Sequence, residues 1–184
     1  GNSLTFRMES NAIGAEVQFS ITGPGLNQPI TQNGNIDSQG VFNFTYNEVQ
    51  KLQNGIFTVT GSFIINGSPT VIKTDTFQKG TVEYYTGDIS FANNDEFDGL
   101  IANRPFDVTL TTNAPNGEEV LFQFYHYGTY LGQWMTDPTA FVNDGKATVQ
   151  FEAGSVGKFT VQAYINGALV SEREFIAQAR FDFE

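Results

Sequence analysis

Cysteine is absent from this 184-residue sequence, and histidine and tryptophan occur once each, as His126 and Trp134. Without cysteine there can be no disulfide, thiol nucleophile or thiolate metal ligand. That argues against a disulfide-framed secreted eukaryotic domain and fits a cytosolic chain or a bacterial or viral exterior one. Basic residues are also scarce: 9 Lys and Arg stand against 20 Asp and Glu, a formal charge of -11. Nucleic acid and anionic membrane surfaces are recognised by clustered Lys and Arg, so no nucleic-acid partner is expected. No apolar run approaches the roughly 20 residues a spanning helix requires, so no membrane insertion is expected either. The opening Gly1-Asn2-Ser3-Leu4 has no basic stretch followed by an apolar run, and any export signal is expected to be absent or already removed.

What the sequence does have is alternation. Val17-Gln18-Phe19-Ser20-Ile21, Val41-Phe42-Asn43-Phe44, Ala147-Thr148-Val149-Gln150-Phe151 and Phe159-Thr160-Val161-Gln162-Ala163 each place apolar residues two apart. A period of two sends one set of side chains to a core and the other to water, as in an antiparallel sheet buried on one face. Turn dipeptides punctuate the runs: Asn33-Gly34, Asn54-Gly55, Asn66-Gly67, Asn116-Gly117, Asp144-Gly145 and Asn166-Gly167. Only Tyr46 to Gln53, with Val49 and Leu52, has helical spacing, and it is long enough for one or two turns. The chain reads as all-β.

It also reads as repeated. Asn11-Ala12 ahead of Glu16-Val17-Gln18-Phe19 returns as Asn113-Ala114 ahead of Glu119-Val120-Leu121-Phe122. Gly55-Ile56-Phe57-Thr58-Val59 returns 102 residues later as Gly157-Lys158-Phe159-Thr160-Val161, and Ile65-Asn66-Gly67 as Ile165-Asn166-Gly167. Landmarks that keep their order and nearly their spacing indicate two copies of one short-stranded sandwich. The boundary is expected near Lys79-Gly80, giving domains 1–80 and 81–184.

The second copy resembles the bacterial immunoglobulin-like repeat. The residues that carry the likeness are Val120, Phe122 and Phe124, the hairpin Tyr127-Gly128-Thr129-Tyr130-Leu131-Gly132, Asp144 to Val149, Gly157 to Tyr164, and Asn166-Gly167. The first copy resembles it more weakly, with Gly61 in place of Ala163 and a degraded middle hairpin. The resemblance implies two tandem immunoglobulin-like antiparallel β-sandwiches. It also implies the settings in which such repeats occur: arrays on bacterial surface proteins and adhesins, or phage virions, with neighbouring immunoglobulin-like domains as partners. Its motifs answer to turns and cores, so they specify fold better than function.

The two copies are out of phase with the sequence. Leu4 to Glu9 matches Phe106 to Thr111, so the first copy opens where the second is already about 25 residues in, and the first copy is expected to lack its first strand. Beyond the last expected strand, residues 179–184 alternate again. Either the sequence is cut from a longer array, or an open edge of the first copy takes the C-terminal strand of another molecule.

Enzymatic machinery is not in evidence. A nucleophile, base and orienting group are wanting, and His126 shares parity with Val120, Phe122 and Phe124, which makes it a structural residue at the end of a strand. No Gly-x-Ser-x-Gly elbow or phosphate-binding glycine loop occurs. Two clusters are candidates for binding. Asp88, Asn93, Asp95, Asp98 and Asp107 could offer the hard oxygens of a structural calcium ion, although they lack the spacing of an EF-hand loop. No other cofactor is expected. Tyr125, Tyr127, Tyr130 and Trp134, with Phe141, gather aromatics in the second copy. Outward-facing aromatics can stack on sugars or anchor a protein, although Trp134 could instead plug the sandwich.

The expected function is therefore a non-catalytic structural or adhesive spacer, extracellular or at the cell surface or on a phage virion, with a protein or glycan surface partner. The alternative is a carbohydrate-binding module of a larger secreted enzyme or transport system.

Overall fold

The computed structural model describes residues 2–96 and 99–180. The chain divides into two compact units, Gly1–Val82 and Glu83–Glu184. Among the described residues there is no α-helix. Both units are immunoglobulin-like β-sandwiches.

In the first unit, β1 (Leu4–Glu9) pairs antiparallel with β4 (Val41–Tyr46) to make one sheet. The other has the order β3-β2-β5-β6, from β2 (Glu16–Thr22), β3 (Ile30–Asn35), β5 (Gly55–Ile65) and β6 (Ser68–Lys79). The alternating residues meet between the sheets: Val17, Phe19 and Ile21 from β2, Phe57 and Val59 from β5, Met8 and Phe44 from the facing sheet. Phe6 brings β1 to within 6.0 Å of Phe19, ring centre to ring centre, and to 5.8 Å of Phe77. The expected helical segment is a single 3-10 turn, Val49–Lys51, and its apolar pair Val49 and Leu52 is buried.

The second unit has a three-stranded sheet of order β13-β9-β7, built from β7 (Gly87–Phe91), β9 (Pro105–Thr112) and β13 (Lys146–Glu152). Facing it is a sheet whose spine is β10 (Glu119–His126), β14 (Gly157–Ile165) and β15 (Ala168–Gln178). β11 (Thr129–Tyr130) and β12 (Thr139–Phe141) border β10, and β8 (Leu100–Ile101) pairs parallel with β15. Phe122, Phe124 and Phe159 are fully enclosed, and Phe124 stacks on Phe151 across the sheets at 3.9 Å. Each phenylalanine so buried stabilises the fold by about 1.5–3 kcal/mol relative to an exposed one.

The repeat is also visible in side-chain packing. A Cβ on Gly61 would lie 3.0 Å from the Met8 methyl, so Met8 takes the room that Ala163 fills in the second unit. Three turn dipeptides adopt left-handed backbone at both residues, φ 53° and 79° at Asn66-Gly67, 52° and 77° at Asp144-Gly145, 53° and 80° at Asn166-Gly167. Those are the values of the type I′ hairpin turn.

Asn33-Gly34 is a correction, because it lies inside β3 and makes no turn. The ring of Phe42 lies against Gly34, where a Cβ would come within 2.1 Å of it. The first unit's middle hairpin is likewise not degraded. β3 runs six residues against β2, with Gln18 Nε2 donating to Asn33 Oδ1 at 2.9 Å. Its sequence is polar because four of its six residues are exposed to solvent.

Candidate functional site

Three adjacent strands of the second unit turn alternate residues away from the core. β10 offers Gln123 and Tyr125, β14 offers Gln162 and Tyr164, and β15 offers Glu172; Gln123 lies opposite Gln162, and Gln162 opposite Glu172. The short strand β11 sets Tyr130 opposite Tyr125, their rings 5.6 Å apart. The loop after the 3-10 turn Leu131–Gln133 then returns Asp137 over this row.

The polar atoms form one network. The Tyr130 hydroxyl donates to the Asp137 carboxylate, and Gln123 Nε2 donates to the same oxygen at 3.2 Å. The Tyr125 hydroxyl is 3.3 Å from both Gln123 Oε1 and Gln162 Oε1, the Tyr164 hydroxyl donates to Gln162 Oε1, and Gln162 Nε2 donates to Glu172 at 2.7 Å. Tyr125, Tyr130, Tyr164 and Asp137 are all half-buried.

Removal from water makes the charged forms of the three tyrosines and of Asp137 harder to reach. Burial, and then the negative field of neighbouring acids, pushes the Tyr164 hydroxyl up to about 12. Tyr125 is raised for the same reasons, and Tyr130 by burial and then by its bond to Asp137. Burial raises the Asp137 carboxyl, and the bonds from Tyr130 and Gln123 oppose that rise.

Of the four predicted aromatics, the structure brings two together. Tyr125 and Tyr130 belong to the network. Tyr127 sits in the β10–β11 turn with φ 47°, its ring exposed, and a Cβ on Gly157 would meet its hydroxyl at 2.5 Å. Trp134 follows the 3-10 turn and is 71% exposed, so it does not plug the sandwich. Phe141 is exposed on β12. Gln123, Asp137, Gln162, Tyr164 and Glu172 were missed. Period-two parity alone would have put Gln123, Gln162 and Tyr164 beside Tyr125, whereas nothing in the sequence places Asp137.

His126 has a packing role. Its ring stacks on Phe159 at 4.4 Å and its Nε2 is 3.2 Å from the Val156 carbonyl.

The acidic residues take separate places. Asp88 and Asp107 are exposed on β7 and β9. Asp95 is enclosed, its carboxylate 2.6 Å from Arg180 and 3.3 Å from Arg104. Neighbouring Asn94 clasps the loop through the Ile101 and Arg104 carbonyls and the Ile101 amide. Asp98 lies outside the described residues, as do residues 181–184 of the alternating tail. Among the described residues no three His, Cys, Asp or Glu side chains are grouped to hold a metal ion.

No family model and no curated protein sequence matches the chain. Solved structures with a similar course include a tetra-tandem repeat from the extending region of a large adhesion protein, at 15% identity and TM-score 0.36, covering 97% of this chain and 50% of that one. Others are fibronectin(III)-like modules of Clostridium thermocellum CbhA, at 13% identity and TM-score 0.35, covering 100% and 90%, and domains FN1–FN3 of chicken CNTN1, at 8% and 0.37, covering 96% and 60%. The chain thus spans half the length of the adhesion-protein structure.

Proposed function

We propose that the chain is a non-catalytic structural and adhesive module, a tandem immunoglobulin-like spacer of an exported bacterial surface protein or a phage virion. Its second unit presents an aromatic face to a protein or glycan partner. The observation that carries this reading is the outward row of Tyr125, Tyr130 and Tyr164 around Asp137, with Trp134 and Tyr127 exposed in the adjoining loop and turn. Half-buried hydroxyls fixed by their own hydrogen bonds recognise a polar ligand without first being ordered. Exposed aromatics supply apolar area at little entropic cost. The only histidine is engaged in packing, which favours a binding role over a catalytic one.

The exposure of Trp134 also favours a second reading, a carbohydrate-binding module, because a free indole face stacks on sugar rings. A glycan array separates the two. Binding that is lost in Trp134→Ala and Tyr127→Ala assigns the module to carbohydrate. Silence on glycans, with retention of cells or a protein ligand, assigns it to adhesion through protein.

A further inference from the structure

The outward row of the second unit also has a sign. All three of its tyrosine hydroxyls donate within the row: Tyr130 to Asp137, Tyr164 to Gln162, and Tyr125 towards the two glutamine carbonyls at 3.3 Å. The oxygens left for a partner are acceptors. Both bonds to Asp137 end on Oδ2, and the one bond to Glu172 ends on Oε1. Among the described residues no buried side-chain nitrogen or oxygen goes without a hydrogen bond, so Asp137 Oδ1, which receives none, lies open to water. Among the described residues neither acid forms an ion pair. Lys158, which shares the outward parity of Gln162 on β14, is held by Glu174 at 3.0 Å, and Arg173 turns to the Phe91 ring and the Ile89 carbonyl. The resulting field reaches into the row: after burial, Asp137 and then Glu172 raise the Tyr125 hydroxyl.

An open carboxylate oxygen beside aromatic rings, with no cation of its own, suits one side chain above others. A guanidinium carries five N–H donors and no acceptor, so it complements a row whose free oxygens accept. Its planar fork bonds a carboxylate while its faces stack on aromatic rings, and a lysine ammonium does not do both. A sugar hydroxyl is neutral and gains little from the negative field. The rings are in place. Tyr125 and Tyr130 lie 5.6 Å apart, and the loop that carries Asp137 also carries Trp134, whose indole is exposed. Gly132 in that loop leaves room for Tyr130, since a Cβ there would run into the ring and hydroxyl that hold Asp137. We propose that this face recognises an arginine of a protein partner, its guanidinium donating to Asp137 Oδ1 and lying against the aromatic side chains around that carboxylate, with Glu172 adding to the field. The proposal rests on the reading of the row as a partner-binding face and names what the face takes.

The test uses the whole chain and two probes, the peptide acetyl-Gly-Arg-Gly-amide and its citrulline counterpart, which keeps the shape and loses the charge. Binding is read from residue-resolved NMR shifts. The arginine peptide should move the signals of Gln123, Tyr125 and Gln162 and bind about fivefold more tightly than the citrulline peptide, a preference that shrinks as salt is raised. Asp137→Asn, which keeps an oxygen for Tyr130 to donate to, should abolish the preference. Glu172→Gln, at an exposed position where folding is not at stake, should reduce it. Glu152→Gln, which removes one charge from the opposite sheet, should leave it intact. Equal affinity for the two peptides overturns the proposal. So does an arginine preference that Glu152→Gln lowers as much as Asp137→Asn does, because the overall charge would then be its cause. A glycan bound at Trp134 with no arginine preference overturns the choice of partner and leaves the row a binding face. If neither peptide and no glycan on an array binds, the reading of the row as a binding face falls as well.

Discussion

The ring of Phe91 lies 4.9 Å from that of Phe175, inclined at 57°, and so joins β7 of one sheet to β15 of the other. On Phe91 also rests the Arg173 guanidinium, 5.2 Å from the ring centre, which donates to the Ile89 carbonyl at 2.7 Å. Phe91→Ala removes both contacts and should destabilise the second unit by about 2 kcal/mol. Denaturant-dependent hydrogen exchange on β14 measures it, with β5 of the first unit as the unchanged reference.

Tyr127 holds a left-handed backbone that costs a bulky residue about 1–2 kcal/mol. Asn adopts this conformation readily ahead of Gly128. Tyr127→Asn should leave the melting midpoint unchanged or raise it, while partner binding falls if the ring is part of the face. A lowered midpoint would mean that the ring over Gly157 matters more to the fold than the strained backbone does.

The raised tyrosines give the second unit a defined alkaline response. A hydroxyl whose folded pKa lies above its unfolded value contributes stability that is complete below the unfolded value, near 10, and is lost as pH rises through the folded one. Stability should therefore decline above pH 10, and Tyr164→Phe should flatten the decline. Asp137 follows the same sign on the acid side: its raised carboxyl makes stability fall as pH climbs through its folded pKa, and Asp137→Asn removes that slope. Melting curves across pH, with tyrosinate absorbance, measure both.

Gly34→Val tests strand propensity against space. Valine favours strands by up to about 1 kcal/mol, yet its Cβ would collide with the Phe42 ring. The substitution should destabilise the first unit by about 1–3 kcal/mol, measured by urea unfolding.

Asp95→Asn removes the charge held between Arg104 and Arg180 and should lower the second unit's stability by about 1–3 kcal/mol. Addition of calcium to the unsubstituted chain, followed by melting, addresses the same loop: a calcium-dependent rise in midpoint would give the acidic residues an ion to hold.

The core was legible because its signal is local. Val17-x-Phe19-x-Ile21 and Val120-x-Phe122-x-Phe124 declare their faces by parity, and Asn66-Gly67 or Asp144-Gly145 need nothing beyond their own φ preferences to turn. Gly34 misled because the same dipeptide serves two purposes. A glycine that admits an aromatic ring looks, in sequence, like one that reverses the chain. The aromatic face was half legible. Tyr125 and Tyr130 declared themselves as aromatics, but the acid that orders them, Asp137, is brought over the sheet by a loop whose course no period encodes. Trp134 was open to two readings for the same reason.

The parallel pairing of β8 with β15 also bears on mechanics. Leu100 lies beside Ala177 and Ile101 beside Gln178, one strand leading in from the start of the second unit and the other leading out to its end. Tension along the chain loads such a pair lengthwise, so its bonds, together with the Arg180–Asp95 contact nearby, must give way at once. Resistance to force is a matter of unfolding rate, and a clasp that fails only as a whole slows it. Under a steady pull the second unit should therefore give way in one step rather than strand by strand.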